Sequence, residues 1–217
     1  MQGKRLLVVV IVATMGMIGV LGSLAIADSP DKSKPAGQPE MKLPPGWTEA
    51  DMKACMDAGT PGKMHEFLAK NIGTWQGKIT MWMGPDTEPM KTESTATYTA
   101  MLDGRFVKCE MAGVMPGMGP YNGFAIYGFD NVAQKFQGTW IDNCGTGMAI
   151  GTGELSSDGK KLTWNYTYTC PIAKKSATMR EIETITSPTT KTLETWSTDP
   201  KSGKEFKMMK VELTKKS

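Results

Sequence analysis

Few residues in this chain have the type and spacing that chemistry requires. His65 is the only histidine. A histidine can ligate a metal or haem, or act as a general base. Metal sites need further ligands at set spacings, and no Cys or carboxylate stands at one here. Glu66 is adjacent, so on a helix it points elsewhere. His65 therefore reads as packed between a helix and the mouth of a sheet, bonded to a backbone carbonyl. Asp142 shares alternate positions with Phe136, Gly138 and Trp140. If that face points inward, Asp142 is a carboxylate near a rim, where perturbed groups and ligand contacts concentrate. The competing reading ends the strand at Asp142 and caps the turn at Asn143, because Asp suits turns. Glu181 and Glu183 alternate with Ile182 and pose the same question. Arg180 lies on the opposite face and cannot pair with either. Arg105 could pair with Asp103 at little energetic value. Asp130 reads as the first residue of an Asp-Asn turn.

Methionine is abundant, notably Met81, Met83, Met111, Met115 and Met118. Thioethers can hold Cu(I) outside the cytoplasm. A soft, adaptable apolar lining is the favoured reading. The four cysteines are Cys55, Cys109, Cys144 and Cys170, with no C-x-x-C pair. They give little support to a zinc or thioredoxin-like site, and allow three disulfide pairings. Gly145-Thr146-Gly147 and Gly151-Thr152-Gly153 have no helix after them, so they offer no helix N-terminus to a phosphate. Nothing resembles a nucleophile elbow, phosphate loop or dinucleotide fingerprint.

The elements that must position these residues are short. Thr48 and Asp51 form a capping-box pattern that opens a helix, with Met52, Cys55 and Met56 on one face. Gly59-Thr60-Pro61-Gly62 stops it. Lys63 to Asn71 reads as a second helix, with Met64, Phe67 and Leu68 at helical spacing. From Gly73 onward, alternation and turn residues predict about ten strands. Asp103-Gly104, Pro116-Gly117, Asp130-Asn131, Asp158-Gly159 and Asp199-Pro200 mark turns. One strand alternates Leu162, Trp164, Tyr166, Tyr168 and Cys170 against Thr163, Asn165, Thr167 and Thr169. Connections this short cannot cross a sheet, so sequential strands pair. A long meander curls and closes, because closure removes its edges. The expected fold is all-β, an antiparallel up-and-down barrel with short N-terminal helices. A two-sheet sandwich is the alternative. In a meander, Cys144 and Cys170 end two strands separated by one, on the same rim. That makes them the favoured disulfide pair.

Lys4 and Arg5 precede an apolar run from Leu6 to Leu24, and Ala25-Ile26-Ala27 supplies small residues for a signal peptidase. Residues 1–27 thus read as a cleaved secretory signal. An uncleaved anchor is the alternative, since the run approaches the roughly 20 residues of a spanning helix. Residues 28–46 hold repeated prolines and read as a disordered linker. Residues 47–71 are short helices packed on a barrel, and 72–217 the barrel itself. The formal net charge of +3 includes Lys4 and Arg5 and no acid before residue 28, so the remainder carries +1. A near-neutral balance argues against nucleic-acid binding. The expected location is periplasmic or secreted, with no membrane contact once the signal is removed.

Gly73-Thr74-Trp75 opens the first strand straight after a helix, which resembles the G-x-W signature of lipocalins and the wider calycin group. The resemblance implies a Trp plugging the closed end under a basic residue from the last strand. Lys210, Lys215 and Lys216 are the candidates here, where the group usually has Arg. Thr60-Pro61-Gly62 through His65, Leu68-Ala69, Gly73-Thr74-Trp75, Met81-Trp82-Met83 before Pro85, and Gly104-Arg105-Phe106 form ordered blocks. Gly128-Phe129-Asp130-Asn131, Thr139 to Asp142 with Gly145-Thr146-Gly147, and Asp199 to Phe206 continue them. Together they resemble a bacterial domain-of-unknown-function family, number fifteen-seventy-nine. That implies a calycin-like barrel and an exported bacterial protein, with no activity attached.

The functional expectation is a non-catalytic barrel for a small apolar or aromatic ligand. Its pocket would be lined from Trp75, Met81, Trp140, Asp142, Trp164, Tyr166, Tyr168 and Glu181. The alternative is a structural or interaction protein with a filled barrel, tethered to the membrane if the N-terminal segment stays uncleaved. No catalytic residue, cofactor or metal is assigned, and an enzyme using Asp142 or Glu181 as base is the least favoured reading.

Overall fold

The computed structural model describes residues 43–216. The expected signal segment and residues 28–42 of the expected linker lie outside the described residues. Two helices, α1 (Glu49–Gly59) and α2 (Lys63–Ala69), precede ten strands. These are β1 (Gly73–Met81), β2 (Met90–Met101), β3 (Phe106–Met115), β4 (Gly119–Asp130) and β5 (Lys135–Asp142). They continue as β6 (Ala149–Leu155), β7 (Lys161–Cys170), β8 (Lys175–Ser187), β9 (Thr190–Thr198) and β10 (Glu205–Lys215). Each strand pairs antiparallel with its sequence neighbours, and β1 pairs with β10 to close the barrel. Seven cross-strand partners make that seam, from Trp75 opposite Lys215 to Met81 opposite Met209.

Local chemistry explains the turns. Between β2 and β3, Leu102, Asp103 and Gly104 all take positive φ (50°, 56° and 81°). Such a turn is tolerable because Asp and Gly accept the left-handed region. At Asp130 the side chain accepts the Val132 and Ala133 amides at 2.8 and 3.0 Å, the Asx turn its sequence implies.

Inward residues alternate along every strand and form one core. Trp75, Val107, Phe136, Leu162, Trp164 and Val211 are each at most 2% exposed. Burying such side chains contributes about 1.5–3 kcal/mol apiece. Two glycines make room for rings. A Cβ at Gly151 would sit 2.5 Å from the Tyr166 ring directly across the ladder, and one at Gly123 would sit 2.3 Å from Trp140. The rings occupy the space a side chain would fill, which covers otherwise bare strand backbone.

One end of the barrel is closed by α2. Leu68 is 3% exposed there, and the Phe67 ring lies 5.7 Å from that of Phe136. α1 behaves differently from expectation. It begins with the anticipated capping box at Thr48 and Asp51, yet none of its residues is buried, and Met56 is 64% exposed. Its C-terminal end is instead held by polar contacts. The Asn131 amide donates to the carbonyls of Asp57, Ala58 and Thr60 at 3.3, 3.1 and 2.8 Å, and Arg105 Nε donates to Gly59 O at 3.0 Å. Asn131→Ala should therefore free α1 without loosening the barrel. Hydrogen exchange should speed up across residues 49–60 while strand amides stay protected, a local loss of about 1–3 kcal/mol. Unchanged exchange in α1 would show that Asn131 is not its anchor.

Candidate functional site

The barrel interior has three tiers. At the closed end, the Trp75 indole N–H donates to Asn71 O at 2.7 Å. Two ammonium groups face its ring. Lys215 Nζ lies 5.5 Å from the ring centroid and also donates to Lys70 O at 3.1 Å, holding the end of α2. Lys191 Nζ lies 4.9 Å from Trp75 and 4.9 Å from Tyr98. The lipocalin-type expectation of a last-strand cation is met by Lys215; Lys210 instead pairs with Glu212. Lys191 was not anticipated. It is 3% exposed and pairs with Glu183 Oε1 at 3.0 Å and Asn71 Oδ1 at 2.7 Å. Lys191 shares parity with Leu193, Thr195 and Ser197 on β9, a face whose inward direction is settled by the pairing of β9 with β8 and β10.

The middle tier holds Glu181. Thr195, directly opposite on β9, donates to its Oε2 at 3.0 Å. Tyr98, Tyr127 and Trp164 surround the same space, which encloses a cavity of about 20 Å³ lined also by Leu68 and Lys191. That volume suits one water molecule. Burial pushes the Glu181 carboxyl up to about 7; Thr195 opposes the shift, Glu183 adds to it and Lys191 offsets it. Burial likewise drives Tyr98, Tyr127 and Tyr166 well above the usual phenol range and the Cys109 thiol up to about 11.

At the open end, Asp142 does both things its sequence allows. Oδ2 accepts Tyr121 O–H at 3.1 Å and Trp140 Nε1–H at 3.0 Å, while Oδ1 accepts the Cys144 amide at 2.9 Å and caps the turn. Tyr168 Oη lies 3.4 Å from Ser197 Oγ. The anticipated pocket residues all sit on inward positions, but they do not form one cluster. Trp164, Tyr166 and Glu181 belong to the middle tier; Trp164 and Tyr166 stack with centroids 5.7 Å apart. Trp75 is the plug, and Trp140, Asp142, Met81 and Tyr168 lie towards the open end. A larger concavity of about 670 Å³ is lined mostly by outward residues of β2 to β5, among them Thr95, Glu110, Phe124 and Ile141. It shares Asp142 with the expected pocket but none of the buried ionisable groups.

Two expectations need correction. Cys144 and Cys170 are both free. β6 lies between their strands, so their ends stand about 10 Å apart, whereas bridged residues have Cα atoms within about 7 Å. Cys170 is buried, and its sulfur accepts the Ala173 amide at 3.4 Å. His65 does pack between helix and barrel, edge-on to Phe129 at 6.0 Å, but Nδ1 accepts the Gly62 N–H at 3.0 Å rather than donating to a carbonyl. No group of three His, Cys, Asp or Glu side chains among the described residues is placed to hold a metal.

A closed antiparallel tube with a short helix and a cation-capped Trp at one end defines a calycin-type barrel. The crystal structure of Rv2717c from M. tuberculosis matches at TM-score 0.56 and 12% identity, covering 73% of this chain and all of that one. The S-type phycobiliprotein lyase CPES from Guillardia theta matches at TM-score 0.52 and 9% identity, covering 75% and 97% respectively. At those identities the likeness is one of fold. This chain belongs to the family described as "Protein of unknown function (DUF1579)", whose model matches residues 60–215. A search among curated proteins finds no match.

Two stability predictions follow from the interior charges. Glu181 is protonated more readily in the folded chain than in the unfolded one. Its contribution is therefore neutral below about pH 4.5 and becomes destabilising as pH rises to about 7. Glu181→Gln should flatten that dependence and stabilise the protein at pH 8 by up to about 3 kcal/mol, read by urea denaturation at several pH values. Lys191→Met should cost about 3–5 kcal/mol by stranding Glu183, and adding Glu183→Gln should recover much of that loss. A double variant as unstable as the single one would show that packing, not charge, is at stake.

Proposed function

We propose that this protein is an exported barrel that binds a small, largely apolar molecule carrying one polar group, which meets Glu181. The observation that carries this reading is Glu181 itself. It is an ionisable side chain set among aromatic rings beside a cavity, with Thr195 as its hydrogen-bond donor. A purely structural interior would be more stable with an apolar residue of that size. Ionisable groups shifted this way concentrate at functional sites. The ligand's apolar part would lie against Trp164, Tyr166 and the inward methionines Met111 and Met179. Neither methionine lines the small resting cavity, so a guest reaching beyond it needs them to repack, which methionine does readily. Export is supported by the charged, apolar and A-x-A order of residues 1–27.

The filled barrel is the second reading, and the 20 Å³ cavity favours it. Native mass spectrometry of protein recovered from a bacterial periplasm separates the two, together with titration of the neutral probe N-phenyl-1-naphthylamine. The binding reading expects a retained small molecule, lost on organic extraction, and probe uptake by the extracted protein. It also expects Glu181→Leu to weaken recapture of the retained molecule about tenfold, or 1.4 kcal/mol. No retained mass and no probe uptake would leave the filled barrel standing. A mature chain starting at Asp28 would support export without a tether.

A further inference from the structure

Sequence proximity groups Met81 with Met83 and Met115 with Met118, but the ladder assembles a different set. Met81 on β1 lies directly opposite Met90 on β2 and directly opposite Met209 on β10. The three occupy one row across three adjacent strands. All three take inward parity: Met81 follows Trp75 and Ile79, Met90 precedes Ser94 and Ala96, and Met209 precedes Val211 and Leu213. All three are half-buried, towards the open end. Met83, by contrast, is 72% exposed beyond the end of β1, and Met118 is 69% exposed in a turn.

From this register we infer that Met81, Met90 and Met209 form a trithioether site for a soft monovalent cation, copper(I) in biology. Opposed side chains on one face have Cβ atoms about 4.5–5.5 Å apart, so Met81 stands that far from each partner, while Met90 and Met209, two strand spacings apart, are about 10 Å from each other. Three sulfurs around one ion, with bonds of about 2.3 Å, stand about 4 Å apart. Methionine arms with three rotatable bonds reach across that difference when Met90 and Met209 both lean towards Met81. Thioethers select copper(I) over the harder divalent ions that need imidazole or carboxylate. The same row supplies a counter-charge at longer range: Met209 faces Thr195 on β9, and Thr195 faces Glu181 on β8. Packing alone gives a weaker account of the row. One step deeper on the same two strands, the seam pairs Ile79 with Val211, the β-branched residues that strands favour. Binding here involves no redox step, and it does not depend on an organic ligand reaching Glu181.

The test uses the full chain with methyl-labelled methionine and silver(I) as the redox-inert probe. Cys55→Ser and Cys144→Ser remove the exposed thiols. The inference expects the Met81, Met90 and Met209 methyl resonances to shift together and saturate at one equivalent. It expects Met111 and Met179 to stay put. Each of Met81→Leu, Met90→Leu and Met209→Leu should weaken binding at least tenfold while thermal stability changes little, since Leu conserves volume. A Met111→Leu control should bind as the parent does. Silver taken up with the three methyls unmoved places the metal elsewhere and overturns the site. Retention of parental affinity by the triple leucine variant also overturns it. Neither outcome touches the organic-ligand reading, which the probe titration decides separately.

Discussion

The pairing of β1 with β10 is the constraint on which everything else rests. It turns a meander of sequential hairpins into a tube, and a tube gives each strand one wet and one enclosed face. Alternation then decides which chemistry is inside. If the seam opened, Lys191, Glu183 and Glu181 would meet water, and their charges would need no partners. The seam has seven partner pairs, fewer than the nine that join β1 to β2 and β9 to β10 but more than the five between β5 and β6. It is also reinforced across the helix end, where Lys215 reaches from β10 over Trp75 of β1 to the carbonyl of Lys70. One lysine thus ties the last strand, the first strand and the plug.

Inside that tube the charges are ordered by depth. The Glu183–Lys191 pair is nearly dry, at 7% and 3% residue exposure, and completes its bonding with Asn71 and two aromatic faces. Such a pair is costly to break and contributes little net stability when intact, so it fixes arrangement more than it strengthens the fold. Glu181 stands one inward position away without a cation of its own. The interior therefore holds a matched pair and an unmatched carboxyl. The mismatch separates this barrel from an apolar plug.

Much of this architecture was legible in the sequence. Alternation and Asx or glycine turns gave the strand count, and short connections gave the order. Gly73-Thr74-Trp75 marked the closed end, and Lys215 was among the cations expected over Trp75. Other features were hidden for identifiable reasons. Lys191 looks like surface in sequence, because the face it shares with Leu193 could be assigned inward only once β9 had neighbours on both sides. The Cys144–Cys170 expectation placed both residues on one rim correctly but ignored the width of the intervening strand. α1 has an amphipathic pattern, yet the barrel surface beneath it offers Asn131 and Arg105, so its anchoring is polar. Cross-strand methionine neighbours are invisible without register, since residues 81, 90 and 209 lie far apart in the chain.

Ring placement sets what the interior can admit. Trp140, Trp164 and Tyr166 lie on glycines of neighbouring strands, so their positions are fixed by backbone that cannot retreat. A Cβ at Gly153 would meet Trp164 at 2.9 Å, and one at Gly138 would meet it at 3.0 Å, so that ring is wedged from two strands. The β4 to β7 wall is therefore rigid. Apart from Trp75 and Tyr98 near the closed end, the β8 to β10 and β1 to β3 walls carry Met179, Met209, Met81 and Met111, side chains with low rotamer barriers and no ring to seat. The 20 Å³ cavity is lined from both walls, by Tyr127, Leu162 and Trp164 on one side and by Glu181, Lys191 and Leu193 on the other, and no methionine lines it. Glu181 on β8 lies where the two walls meet, so a guest of the proposed kind would be held by the carboxyl against the aromatic wall.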